Sequence, residues 1–365
     1  MPDDQPKAPI GGGIRTEEPS RRGLLAELIR LCVPLLVGLG LAFAIHHFIV
    51  LPQLGLPADV RRPIAIASSL DADLFKDDDS VAVIISNSAG VEGIDASIVQ
   101  AAAPEGWRVY NFSTNGTNQV EARLLADRLA DAGADLVIWL FRPDMLSTPR
   151  SMHPDVVFAY ALGKFADTTP WIGGPWVDAE TLTQLDAGQS AMSAHFRRRW
   201  LDALNYSMRR RMRSGIRTPE SDNFQSPFNL EVVLDGERLD RHVGEIAAMM
   251  DAELTGIEAN GPTSGREFMR EMIDDFMHRP AELAIVIAPT HPDLDEQFKP
   301  IEIEVLSFFK PFSASKGLRV GTAAGLLEVS DYADAIHPNE SGRVRLSTWL
   351  GEWMPPPPSE QSDLR

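Results

Sequence analysis

The chain has 365 residues, with 34 Lys and Arg against 52 Asp and Glu, a formal net charge of −18. That balance excludes a general nucleic-acid binder, which needs a dominant basic surface to displace counterions from phosphates. With 44% hydrophobic and 24% charged residues, wholesale disorder is excluded too, and the single cysteine, Cys32, allows neither an intramolecular disulfide nor a cysteine-based zinc centre.

Residues 31–51 read LCVPLLVGLGLAFAIHHFIVL, without a Lys, Arg, Asp or Glu. About 20 apolar residues in a helix cross the hydrocarbon core of a bilayer, so a single transmembrane anchor is expected here. Arg15, Arg21, Arg22 and Arg30 precede the segment, and Arg61 and Arg62 follow it. The positive-inside rule leaves residues 1–30 as a cytoplasmic tail and exports the rest, which is expected on the periplasmic side of an inner membrane. Two other readings are a cleavable signal peptide, with Ala42-Phe43-Ala44 as the site, and a buried helix of a soluble protein. Against the first, the apolar run continues past that site to Leu51. Against the second, Pro34, Gly38 and Gly40 suit a membrane helix better than a soluble one.

Residues 52–80 read as a connector. Val81 to Ile85 is a continuous apolar run, as expected of a strand buried on both faces. A helix is expected from Val91 to Ala103, a second strand from Trp107 to Phe112, a helix from Gln119 to Asp131 and a third strand from Asp135 to Phe141. Short apolar strands alternating with helices predict a doubly wound, parallel α/β sheet. The rhythm breaks over residues 145–262, which hold TPWIGGPW and an arginine-rich stretch, and this region reads as a mostly helical insertion. Its arginines (Arg197 to Arg199, Arg209 to Arg211, Arg213) form a solvated helical face or a dock for anionic lipid or polymer. The pattern resumes with a helix from Ser264 to His278, a strand from Leu283 to Ala288, a helix from Asp293 to Phe309, a strand from Leu318 to Gly321 and a last helix from Glu340 to Trp353. Met269, Met272 and Met277 are helix-spaced core candidates, and residues 354–365 are expected to be disordered.

In open parallel sheets, ligands bind beyond the carboxyl ends of the strands. Three polar clusters fall at such ends. Ser86-Asn87-Ser88 follows the first strand and opens a helix, where developing negative charge is favoured. Ser113 to Asn118 (STNGTN) follows the second. Asp331 to Gly342 (DYADAIHPNESG) precedes the last helix and sets Asp334 three residues before His337. A carboxylate at imidazole Nδ1 fixes the tautomer and stabilises the cation formed when Nε2 takes a serine proton. His153, His195, His242, His278 and His291 share no metal-ligand spacing and read as surface or core histidines. Arg142, at the end of the third strand, suits an anionic substrate or an ion pair with Asp144.

Asn87-Ser88 after a buried first strand, the Gly/Asn loop after the second and Asp334-x-x-His337-x-Asn339-x-x-Gly342 before the final helix together resemble the SGNH (GDSL) hydrolase superfamily over residues 80–144 and 280–353. The resemblance implies a flavodoxin-like α/β fold and a catalytic triad of Ser88, Asp334 and His337. No metal or other cofactor is implied. Ser86 stands where the family has glycine, which makes it a second nucleophile candidate, and Phe141-Arg142-Pro143-Asp144 stands where the family has G-x-N-D. Without that asparagine an oxyanion hole needs the Ser88 and Gly116 amides and the side chain of Asn118 or Asn115. A one-helix anchor before such a domain resembles the proteins that work beside membrane-bound O-acyltransferases in alginate O-acetylation and D-alanine transfer to teichoic acid. That resemblance implies transfer of a small acyl group, often acetyl, onto a hydroxyl of a cell-surface polysaccharide or related polymer, or its hydrolysis as an esterase. The other class is a non-catalytic scaffold of the same fold, partnering such an acyltransferase.

The topology has a direct check. A periplasm-dependent reporter fused after Arg365 is expected to be active and the mature chain to keep its amino terminus; a reporter active only in the cytoplasm, or a chain starting near Ile45, contradicts the anchor.

Overall fold

The computed structural model describes residues 30, 32–41, 80–146, 234–260 and 263–358, with scattered positions between 62 and 78 and between 170 and 183. The chain divides into two units, Met1–Leu56 and Pro57–Arg365. In the first, residues 32–41 are helical and their apolar side chains, such as Leu35 and Leu36, are exposed. Among the described residues no helix is long and apolar enough to cross a membrane; residues 31 and 42–51 of the expected anchor lie outside them.

The second unit is built on a five-stranded parallel sheet in the order β2-β1-β3-β4-β5. The strands are β1 (Val81–Ile85), β2 (Arg108–Asn111), β3 (Leu136–Phe141), β4 (Glu282–Ile287) and β5 (Arg319–Thr322). The helices are α1 (Ser88–Gly93), α2 (Ala96–Ala102), α3 (Gln119–Asp131), α4 (Gly236–Asn260), α5 (Thr263–Phe276), α6 (Asp295–Lys316) and α7 (Glu340–Trp353). Side chains alternate across each strand. Val83, Trp139 and Ile285 enter one core with Leu125 of α3, Met269 of α5 and Phe309 of α6. Ile84, Ile138 and Val286 enter the other with Val99 of α2 and Leu350 of α7. Helices thus cover both faces, which is why β1 and β3 are apolar at every position. The expected α/β parallel sheet is what the chain forms.

Several expectations are corrected. The helix expected over Val91 to Ala103 is two helices, because Asp95 starts a new one: its Oδ1 accepts the Ser97 amide at 2.9 Å while its own amide donates to Ser347 Oγ at 2.9 Å. The helix after β4 runs past Phe309 to Lys316 in spite of Pro311 and ends at Gly317. Met269 and Met272 are core, but Met277 is exposed, one residue past the end of α5. The expected connector contributes Ile66, Leu70 and Phe75 to the first core, and Arg62 is buried with its guanidinium on the carbonyls of Asn111 and Ser113. Residues 354–358 of the expected disordered tail are packed: Pro355 and Pro357 are buried, and Trp107 Nε1 donates to the Pro355 carbonyl at 2.7 Å. Residues 359–365 lie outside the described residues.

No strand occurs among the described residues of the expected insertion, and those residues belong to the main body. Ile172, Trp176 and Val177 join the first core, and Trp171 Nε1 donates to Asp127 Oδ2 of α3 at 2.8 Å. The Leu234 amide donates to the Ala333 carbonyl at 2.6 Å, and His242 Nδ1 of α4 accepts the Ala335 amide at 3.3 Å. The end of the insertion therefore braces the loop that carries Asp334 and His337. The arginine run at 197–213 lies outside the described residues.

Candidate active site

The strand order reverses between β1 and β3, and in this topology ligands sit at such a switch point, beyond the carboxyl ends of the strands. A depression lies there. Ser88 follows β1, Arg142 follows β3 and His291 follows β4, while Leu294, Phe298 and Ile336 supply apolar wall.

Ser88 is the first residue of α1, positioned by Asn87, whose side chain caps the helix by accepting the Ala89 amide at 3.0 Å. The helix lies unusually close to the strand ends: a Cβ on Gly90 would come within 2.4 Å of Ser86 Cβ and Ser113 Oγ, so glycine is required there. Ser86, the other nucleophile candidate, is buried and donates its hydroxyl to the Leu140 carbonyl at 2.8 Å. That bond ties β1 to β3, and of the two serines only Ser88 lines the depression.

The loop before α7 is folded around the Asp334 carboxylate. Its Oδ1 accepts the Ile336 amide at 2.9 Å and the His337 amide at 2.8 Å, and its Oδ2 meets His337 Nδ1 at 2.8 Å. Burial pushes the Asp334 carboxyl up, but the His337 ring and the two amides outweigh it and hold the group below its ordinary value. An ionised Asp334 makes Nδ1 the donor, which leaves the lone pair on Nε2, the state required of a general base. His337 Nε2 is buried and has no hydrogen-bond partner among the described residues. Ser88 Oγ is therefore not bonded to it here; the structure joins Asp334 to His337 and leaves the expected serine bond unmade.

What faces His337 was not marked by any motif. Glu92, one turn after Ser88 on α1, couples electrostatically to His337, Asp334, Arg343 and Arg62. Its backbone carbonyl accepts Arg343 Nε of α7 at 2.7 Å, and its Oε2 is buried with no partner among the described residues. Burial raises the Glu92 carboxyl above its ordinary value against the pull of His337 and Arg343. The spacing from Ser88 was the available signal, since residues four apart share a helix face.

The expected oxyanion residues go elsewhere. Asn118 is the buried cap of α3, its Oδ1 accepting the Glu121 amide at 3.1 Å and its amide donating to Glu121 Oε2 at 2.8 Å. Asn115 and Gly116 are exposed in the preceding turn. None of the three lines the depression, because β2 lies on the far side of β1 from β3. Arg142 does line it, whereas the Asp144 side chain lies outside the described residues. No group of three or more His, Cys, Asp or Glu able to hold a metal occurs among the described residues.

No family model matches the chain, and no curated protein matches it. Among solved structures, the chain is similar to Est24, a carbohydrate acetylesterase from Sinorhizobium meliloti, with a TM-score of 0.32 and 10% identity over 78% of this chain and 100% of that one. At that level of similarity nothing about family or activity follows.

The raised Glu92 carboxyl has a measurable consequence. The folded state holds this proton more tightly than the unfolded chain, so stability falls as pH rises from the ordinary value of 4.5 through the folded one. Glu92→Gln is expected to raise Tm by a few degrees at pH 7 to 8 and to leave it unchanged near pH 4, measured by thermal melts. A lower Tm at pH 8 would show that the ionised carboxylate is stabilising.

Proposed function

We propose that the protein is a serine-dependent O-acyl (most simply acetyl) transferase or esterase acting on a polysaccharide or related cell-surface polymer, with Ser88 as nucleophile, His337 as general base and Asp334 as its orienting carboxylate. The observation that carries the reading is the Asp334–His337 pair, with the ring nitrogen distal to Asp334 left without a partner, beside the helix that Ser88 opens. Coupling of Glu92 to His337 and the Arg343–Glu92 bond set that loop against α1. A rearrangement of α1 or of the loop that brings the two side chains together would make the serine–histidine bond, as often happens only once substrate is bound.

In this chemistry Ser88 Oγ bonds to the acyl carbon and its proton passes to His337 Nε2. The leaving group takes that proton. A sugar hydroxyl or water then bonds to the acyl carbon and gives its proton to His337 Nε2, and the bond from that carbon to Ser88 Oγ breaks as the serine takes the proton back. The polymer acceptor, the anchor, the periplasmic location and a membrane-bound O-acyltransferase partner follow from the sequence resemblance and the apolar segment at 31–51. A second reading, a non-catalytic scaffold beside that acyltransferase, is favoured by one observation: His337 Nε2 and Ser88 are not bonded.

The two readings separate on covalent labelling. A serine-reactive fluorophosphonate is expected to add one adduct to the wild-type chain, mapped by mass spectrometry to Ser88, and none to Ser88→Ala or His337→Ala. Ser88→Ala is expected to keep its Tm. Labelling that survives Ser88→Ala would remove Ser88 as the nucleophile, and labelling that never occurs would leave the scaffold reading in place.

A further inference from the structure

We propose that His291 is the hydrogen-bond donor for the acyl oxygen of a substrate attacked by Ser88. The inference deepens the serine chemistry proposed above and depends on it.

His291 is fully buried, yet it lines the same depression as Ser88 and Arg142. It follows β4, so the segments after three adjacent strands, β1, β3 and β4, bring Ser88, Arg142 and His291 to one depression, with Asn87 and Thr290 beside them. The tautomer follows from its hydrogen bond. Nδ1 lies 3.2 Å from the Asp293 amide, which can only donate, so Nδ1 is the acceptor and the ring proton is on Nε2. The Asp293 carboxylate, at 3.7 Å from Nδ1, is beyond hydrogen-bond distance. Burial lowers the His291 pKa against the pull of Asp293, Asp334 and Asp295, which keeps the ring neutral. The Tyr332 ring, with its centroid 4.8 Å away, packs against it. Nε2–H is then a buried donor with no partner among the described residues, and a buried donor is costly until something accepts it.

Two histidines at this sheet edge thus hold opposite tautomers. His337 presents a lone pair on Nε2 and takes the proton. His291 presents N–H and cannot act as base there. When Ser88 Oγ bonds to the acyl carbon, the carbonyl electron pair moves onto oxygen and accepts the His291 Nε2–H. When that pair returns, the bond to the leaving group breaks, and the leaving oxygen takes the proton held by His337. This supplies a donor from the β4 side, whereas Asn118 caps α3 on the β2 side.

The experiment follows adduct formation at Ser88 with diisopropyl fluorophosphate in the full-length chain, whose phosphoryl oxygen occupies the place of the acyl oxygen. His291→Asn keeps a side-chain cap for Asp293 but loses the distal N–H, and labelling is expected to slow about 100-fold, the usual cost of one such donor. His291→Gln reaches as far as the ring and restores an N–H, and is expected to recover about 10-fold of that loss, a difference that packing alone would not produce. Wild-type labelling rates in His291→Asn, or equal losses in both variants, would overturn the donor role while leaving Ser88 as nucleophile. No adduct on wild-type Ser88 would overturn both. Should the variants fail to fold, histidine nitrogen NMR of the wild type decides: a neutral ring protonated at Nε2 is expected, and protonation at Nδ1 overturns the proposal.

Discussion

The Asp334 carboxylate organises the loop between Asp331 and Gly342, and the candidate site depends on it. A single ionised group accepts two backbone amides and one ring nitrogen. Such charge-assisted bonds contribute about 1.5–3 kcal/mol each where a neutral pair contributes about half that. The loop closes on itself through the Ala333 amide and the His337 carbonyl, 2.8 Å apart. Asn339 then fastens it to α7, accepting the Gly342 amide at 3.1 Å and donating to the Ser330 carbonyl at 2.8 Å. At Gly342 a Cβ would lie 2.2 Å from the Asp331 carbonyl, so no other residue fits that approach. The spacing Asp-x-x-His-x-Asn-x-x-Gly is thus a set of contacts: carboxylate, ring, helix cap and close approach.

The sheet brings this loop to the rest of the site. Strands buried on both faces fix β1, β3 and β4 side by side in register, and the segment after each brings a polar side chain to the same edge. Helix α1 starts there with Ser88, and α7 returns to it, held by the Arg343 bond to the Glu92 carbonyl. Partial burial of Glu92 and full burial of Arg62 in one neighbourhood have an electrostatic cost, visible in a raised carboxyl at Glu92 and an arginine lowered to about 9 at Arg62. Groups displaced from their ordinary protonation in a cleft are common where chemistry is done, though structural ion pairs also produce them.

Much of this was legible in the sequence where local signals dominate. The bounds of β1, α3 and α7 follow from apolar runs and from caps such as Asn118 with Glu121 and Asn339 before Glu340. The Asp334–His337 contact is local as well, three residues apart. The rest needed tertiary information. Asp95 splits a helix because it meets Ser347, far along the chain. Asn118 looked like a substrate donor because its side of the sheet was not yet known. His291 resembled any other histidine, since only its burial beside Tyr332 and its bond to Asp293 reveal the tautomer. Glu92 was hidden because its distinction is the company of His337.

In the proposed chemistry Ser88 and His337 form one catalytic unit although they are not bonded in the resting chain. The most direct measurement is a crystal structure of the fluorophosphonate-treated protein. Phosphorus is expected bonded to Ser88 Oγ, with His337 Nε2 within about 3 to 4 Å of that oxygen and the bond between Asp334 and His337 intact. An adduct on another residue, or His337 Nε2 more than about 8 Å from Ser88 Oγ in the adduct, would contradict it.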